Sequence, residues 1–155
     1  MSADDSTPPG MTPEQQALAG LPHQPPMRLV ENLAELIPGE RVRATRVARA
    51  GDFYFQGHFP GMPVVPAVIL VEMLAQAGGI AACSGSIPVP AGGLRLAALG
   101  AFKFPAAAFP GQLLEATARV AGRAFGLIKI EGEVTADGVS VASGSLTLAP
   151  GPERV

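Results

Sequence analysis

The sequence predicts an α+β domain in which an antiparallel sheet curls around one long helix. Two observations lead there. A single long apolar segment of helical character, running from about Pro66 to the small residues at 78–85, stands in the middle of the chain. The segments around it read as strands in the order β-β-helix-β-β-β-β, without the βαβ alternation of a parallel sheet. A length of 155 residues fits one domain, and nearly half of the residues are hydrophobic, so a large core is available.

Residues 1–11 are polar and proline-bearing and read as a disordered tail, ahead of one domain over 12–149 and a short tail over 150–155. "TPEQQALAG" has Thr12 as N-cap, Pro13 at the first helical position, Gln15 at the capping-box position and Gly20 as a stop, which predicts a short helix. "LPHQPP" is a connector to a strand over 27–37. "PGE" interrupts it, and a second strand over 41–50 alternates Val and Ala with Arg. Its outer arginines, Arg41, Arg43, Arg46 and Arg49, form either a solvated face or a basic stripe that attracts an acidic partner. Residues 51–65 form a loop rich in Gly, Phe and Pro. After the helix come strands over roughly 94–104, 112–123, 125–136 and 139–148, with "ADG" at 136–138 as a hairpin turn.

Charge and cysteine usage narrow the function. Residues 21–149 hold 10 of the 11 Lys/Arg and 9 of the 13 Asp/Glu, a net of +1 by that difference, and the basic residues are neither dense nor interleaved with aromatics. Nucleic-acid binding is not indicated. Cys83, the single cysteine, follows an apolar run and reads as an inert thiol. With two histidines and one cysteine there is no metal-ligand spacing. The N-terminus is unlike a signal peptide, which predicts a cytoplasmic protein. A membrane span over 64–83 would have to hold Glu72 near the bilayer centre, so membrane insertion is not expected.

The chemistry concentrates in "QGHFPGMPVVPAVILVEMLAQAGG", residues 56–79. Val68, Ile69, Leu70, Val71, Met73, Leu74 and Ile80 surround Glu72, so the helix is expected to be buried on all faces. An acid in such surroundings is expected to keep its proton and act as a donor. Gln76, four residues on, projects from the same side and is placed to orient it. The alternative is a purely structural acid paired with an arginine such as Arg95 or Arg119. His58 precedes a "PGMPVVP" turn, where Pro60, Pro63 and Pro66 have fixed φ and Gly57 and Gly61 permit unusual backbone angles. The helix start at Ala67 and Val68 supplies N–H groups without intrahelical partners. A base, a proton-bearing acid and N–H donors for an oxyanion are the parts that remove water from a β-hydroxy carbonyl compound, with no metal required.

This segment closely resembles the active-site segment of FabZ-type 3-hydroxyacyl-[acyl-carrier-protein] dehydratases, H-F-P-G-x-P-x-x-P-G-V-x-x-x-E-x-x-x-Q. "LPHQPPMRLVENL" and "FKFPAAAFPGQLLEATARV" are similar to further segments of that family, and the resemblance runs over roughly 14–149. It implies a hotdog fold that works as a homodimer, often as a trimer of dimers, without a cofactor, on 3-hydroxyacyl chains carried by the phosphopantetheine of an acyl carrier protein. It implies His58 as catalytic base and Glu72, from the partner subunit, as acid, with Gln76 in support and the N–H of Ala67 on the carbonyl. Val68 and Gly61 belong to the same N–H-bearing turns, and Tyr54, Phe55, Phe59 and Phe102 are candidate walls of an acyl tunnel. His23, in "LPH", is expected to be structural.

Three positions depart from the pattern. Ala67 stands where the family has Gly, the loop "PAAAFPGQ" is about two residues longer and ends in Gln112 instead of Asp, and Lys103 alone remains of the basic residues there. These suggest a specialised relative serving a polyene or other secondary-metabolite pathway over the housekeeping enzyme of fatty-acid synthesis. Two alternatives stay open: a hotdog acyl-thioesterase, and a non-catalytic subunit that binds acyl chains or the carrier protein. Glu in place of Asp at 72 favours the FabZ type over the isomerising FabA type.

Overall fold

The computed structural model describes residues 10–152, so the expected tails over 1–11 and 150–155 lie mostly outside the described residues. Two α-helices, α1 (Pro13–Ala19) and α2 (Ala67–Ala82), accompany six strands: β1 (Asn32–Ile37), β2 (Arg41–Val47), β3 (Leu94–Leu99), β4 (Leu113–Ala124), β5 (Leu127–Ala136) and β6 (Val139–Pro150). The strands form one sheet in the order β1-β2-β4-β5-β6-β3, antiparallel at every pairing. It wraps around α2, which packs on β2, β4, β5 and β6.

Local chemistry explains the boundaries. Thr12 caps α1 as expected: its hydroxyl accepts the Gln15 N–H, while the Gln15 side chain accepts the Thr12 N–H. The β5–β6 turn places Asp137 and Gly138 at positive φ, the pattern of a tight hairpin. β1 starts at Asn32, not at 27, because the Met27 carbonyl and the Leu29 N–H are spent on the Gln76 side chain. β2 stops at Val47: Ala48 bonds Gln112, and the Arg49 N–H turns to the Asp52 carboxylate. β3 is likewise shorter than expected. Past a bulge between Leu96 and Ala98 it leaves the ladder after Leu99, keeping a bond from Gly100 to Ser145 and a lone bridge from Lys103 to Ser143.

The helix and sheet approach closely. Leu74 and Ala77 are fully buried, and a Cβ on Gly132 of β5 would lie 2.7 Å from Leu74 and 2.3 Å from the Thr117 carbonyl oxygen. Only glycine leaves room there for α2. The expectation that α2 is buried on all faces needs correction. Twelve of its residues are buried, but Val68 is 73% exposed and the Glu72 side chain 28% exposed. In the single chain, Ala67 and Val68 at the start of α2 are exposed and Glu72 is partly exposed, while Ile69 and Leu70 of the same first turn are buried.

The β2 arginines are not a free basic stripe. Arg41 reaches Glu35 at 2.6 Å, Arg43 reaches Glu115 at 3.9 Å, and Arg46 bridges Glu31 and Asp52, each at 2.6 Å. Arg49 binds Glu31 and holds that carboxyl below the usual carboxylate range. Arg46 is turned inward, its side chain only 14% exposed: it lies on the same face of β2 as the buried Val42 and Ala44, so it does not belong to the outer face with Arg41, Arg43 and Arg49. No helix among the described residues is long and apolar enough to cross a membrane.

Candidate active site

His58 lies on a tightly bonded loop. A short 3-10 turn, Phe53–Phe55, leads into it, and the His58 N–H donates to the Phe55 carbonyl at 3.1 Å. The Val64 N–H donates back to the His58 carbonyl at 3.0 Å, and Phe59 and Met62 bond each other's backbone. Gly57 and Gly61, expected to permit unusual backbone angles, adopt φ of 78° and 72°, in the left-handed region. The loop therefore holds a half-buried His58 ring in one place. Its Nδ1 lies 3.0 Å from the Val64 carbonyl oxygen. A carbonyl only accepts, so Nδ1 carries the proton in the neutral ring and Nε2 is left with a free lone pair. A base poised at Nε2 follows from one backbone contact.

The turn before this loop is held by charge. Asp52 accepts from Arg46 at 2.6 Å, from the Arg49 N–H at 2.9 Å and from the Tyr54 hydroxyl at 2.8 Å. Burial, then the bond to Asp52, push the Tyr54 phenol up to about 12. Tyr54 and Phe55 sit in the main core, whereas Phe59 is half exposed and stacks on the His58 ring at a centroid distance of 4.1 Å. Phe102 packs at the core's edge against Phe104. None of the four lines the cavity described next.

Glu72 lies in the second turn of α2 and faces a cavity of about 440 Å³. Its walls are largely apolar, including Leu36, Ala75, Ile80, Leu94 and Leu96, with Cys83 among them. Burial pushes the Cys83 thiol up, which suits the inert role expected of it. Gln76, 2% exposed, donates from Nε2 to Glu72 Oε1 at 3.1 Å and to the Met27 carbonyl at 2.7 Å, while its Oε1 accepts the Leu29 N–H at 2.9 Å. Three bonds on one amide fix which end is nitrogen and aim a donor at the acid. Neither arginine offered as a structural partner binds Glu72: Arg119 pairs with Glu131, and Arg95 lines the cavity without an ion pair among the described residues.

The group that does meet Glu72 is His23, whose Nε2 stands 3.4 Å from Oε1. Sequence reading assigned His23 a structural role because its contact with Glu72 spans 49 positions and depends on the strap over 23–29. Its only local signal was the "LPH" tripeptide.

His58 and Glu72 are not joined within the chain. His58 bonds Val64, Glu72 meets Gln76 and His23, and His58 does not line the Glu72 cavity. Ala67 and Val68 lie exposed at the start of α2, where the first N–H groups have no intrahelical acceptor. The longer loop buttresses this region. The Val65 N–H donates to Ala108 at 2.8 Å, and Gln112, in place of the family Asp, accepts the Phe109 N–H at 2.8 Å.

Comparison with known proteins agrees with this geometry. The family model for a FabA-like domain matches residues 21–145. The chain is 35% identical over 136 residues to a protein named 3-hydroxyacyl-[acyl-carrier-protein] dehydratase FabZ from Nitratidesulfovibrio vulgaris strain DP4, covering 87% of this chain and 88% of that one. A protein of the same name from Roseiflexus sp. strain RS-1 is also 35% identical, with 87% and 94% covered. Among solved structures, the dehydratase heterocomplex ApeI:P from Xenorhabdus doucetiae superposes with a TM-score of 0.64 at 20% identity, over 86% of this chain and 89% of that one. A hypothetical thioesterase with coenzyme A from Streptococcus pneumoniae gives 0.60 at 11% identity, over 80% and 88%. These structural likenesses show the hotdog fold, and because they include both dehydratase and thioesterase names, the fold alone does not choose a reaction. The FabA-like match over most of the domain, with relatives at this identity over nearly their whole length, shows that the chain belongs to the FabA-like family.

Proposed function

We propose that the chain dehydrates 3-hydroxyacyl thioesters borne by an acyl carrier protein, giving trans-2-enoyl thioesters and water. His58 Nε2 takes the proton from C2. The electron pair moves toward the thioester carbonyl, whose oxygen is held by N–H groups at the start of α2, that of Ala67 first. As the pair returns to form the C2=C3 bond, the C3–O bond breaks and Glu72 gives its proton to the departing hydroxyl. No electrons are exchanged with an outside acceptor, so the reaction calls for no redox cofactor.

The observation that carries the reading is the His58–Val64 contact, which leaves a lone pair on Nε2 and so suits a base. Glu72, oriented by Gln76 and open to an apolar cavity, suits the acid. Because the two make no contact within one chain, the working site pairs His58 of one subunit with Glu72 of a second, in a homodimer or a trimer of dimers. Names of the relatives at 35% identity favour an acyl-carrier-protein substrate over other thioesters.

The test is hydration–dehydration of 3-hydroxyacyl-carrier-protein substrates by the wild type, His58→Ala and Glu72→Gln. General acid–base groups contribute about 10²–10⁴-fold each, and losses of that size with intact folding are expected in both variants. Release of free thiol in place of water would make the protein a thioesterase, and binding without turnover would make it an acyl-binding subunit. Either result would overturn the proposal.

A further inference from the structure

Resting on the dehydratase reading, we infer that His23 is a positioning residue for the acid: a second N–H donor that holds Glu72 Oε1, so that the proton is carried and delivered by Oε2. The chain has two histidines, and the mechanism above uses only His58. His23 Nε2 lies 3.4 Å from Glu72 Oε1, the oxygen that already accepts from Gln76 Nε2. Oε2 has no hydrogen bond among the described residues. His23 Nδ1 is buried and has no partner among the described residues, so in the neutral ring the proton belongs on Nε2, the nitrogen nearer the carboxyl. In the acid form that the proposed mechanism requires, the oxygen bonded by Gln76 and approached by His23 is the carbonyl oxygen, which leaves the proton to Oε2. As Oε2 gives up its proton, charge spreads onto Oε1, where both donors already stand.

The segment that carries His23 is held by burial and hydrogen bonds on both sides. Leu21 on one side of His23 and Leu29 on the other are buried in the core, and Gln76 fixes the backbone of Met27 and Leu29. Arg28 ties the strap to α1 through the Leu18 carbonyl at 2.5 Å, and the Arg28 N–H bonds Gln24 at 3.1 Å. At 3.4 Å the His23 contact stands just beyond a good hydrogen bond, as catalytic contacts often do before substrate tightens them.

The experiment is a double-mutant cycle on the full chain, measuring kcat and KM for a 3-hydroxyacyl-carrier-protein substrate, with Tm alongside. His23→Ala is expected to lower kcat about tenfold or more while leaving KM nearly unchanged, a smaller loss than the about 10²–10⁴-fold of the acid itself. His23→Gln, which keeps an N–H donor, is expected to recover part of it. In a Glu72→Gln background, His23→Ala should cost nothing further, because the two act as a unit. Wild-type kcat in His23→Ala, or the same loss with and without Glu72, would overturn the inference and leave the dehydratase reading intact. If His23→Ala does not fold, the kcat of His23→Gln and its coupling to Glu72→Gln decide in the same way. A wild type that dehydrates nothing, or a Glu72→Gln variant at full rate, would instead overturn the reading beneath it.

Discussion

Tyr54 is the chain's one tyrosine, and no tryptophan is present, so its phenolate absorbance reports a single site. The Asp52 carboxylate and burial both oppose ionisation, and the folded value is about 12. The fold favours the neutral phenol, so the stability this contributes is complete below the ordinary phenol range of about 10 and is lost as pH rises through about 12. The phenolate signal is therefore expected only near pH 12, or together with unfolding, and earlier in Asp52→Asn. A transition near 10 with circular dichroism unchanged would contradict this. The same scale shows what one chain's letters reveal of a site. Glu72 and Gln76 were legible because four residues on a helix bring side chains together, and the bond between them is present. The Val64 carbonyl that sets the His58 tautomer, and the approach of His23 to Glu72, were not. Each depends on a folded loop or strap that no local spacing encodes.

Among elements, helix α2 and strand β5 stand or fall together. Gly132→Ala places a Cβ against the Thr117 carbonyl and Leu74, and overpacking of this kind costs about 1–3 kcal/mol. Denaturant unfolding should show a loss at the upper end of that range, because a backbone atom cannot step aside. An unchanged midpoint would mean that helix and sheet sit further apart. Strand β2 makes the opposite case. Its arginines are matched by Glu35, Glu115, Glu31 and Asp52, and the more exposed of these pairs, Arg41–Glu35 and Arg43–Glu115, contribute about 0–1 kcal/mol each. Arg43→Ala should leave kcat/KM for a carrier-linked substrate within about twofold, with a weak dependence on salt; a large loss that deepens at low salt would restore β2 as a docking face. The strands were readable from their alternation and the ADG turn. The start of β1 was not, since the backbone of Met27 and Leu29 is claimed by a side chain 47 positions away from Leu29. Alternation in step with Val42 and Ala44 puts Arg46 on the inner face of β2, but the two carboxylates that meet it there, Glu31 and Asp52, are set by the fold and by no local pattern.

At the scale of the molecule, the proposed base and the proposed acid stand apart within one chain. His58, with its free Nε2, sits on the loop before α2, and Glu72 faces a separate cavity with Gln76 and His23. The proposal that a second copy supplies the acid came only through the resemblance to FabZ-type enzymes, because no pattern within one chain states which residues a partner contributes. The exposed Val68 at the start of α2, read from the sequence as buried, fits the same proposal, since a second subunit is free to cover it. The most direct test mixes two inactive proteins. His58→Ala and Glu72→Gln are unfolded together, refolded at equal amounts and assayed for dehydration of a 3-hydroxyacyl-carrier-protein substrate. Roughly half of the dimers are then mixed, and each mixed dimer keeps one intact site of two, so about a quarter of wild-type activity should return. No recovery, with subunit exchange verified by a mass-tagged copy, would mean that base and acid do not meet across subunits.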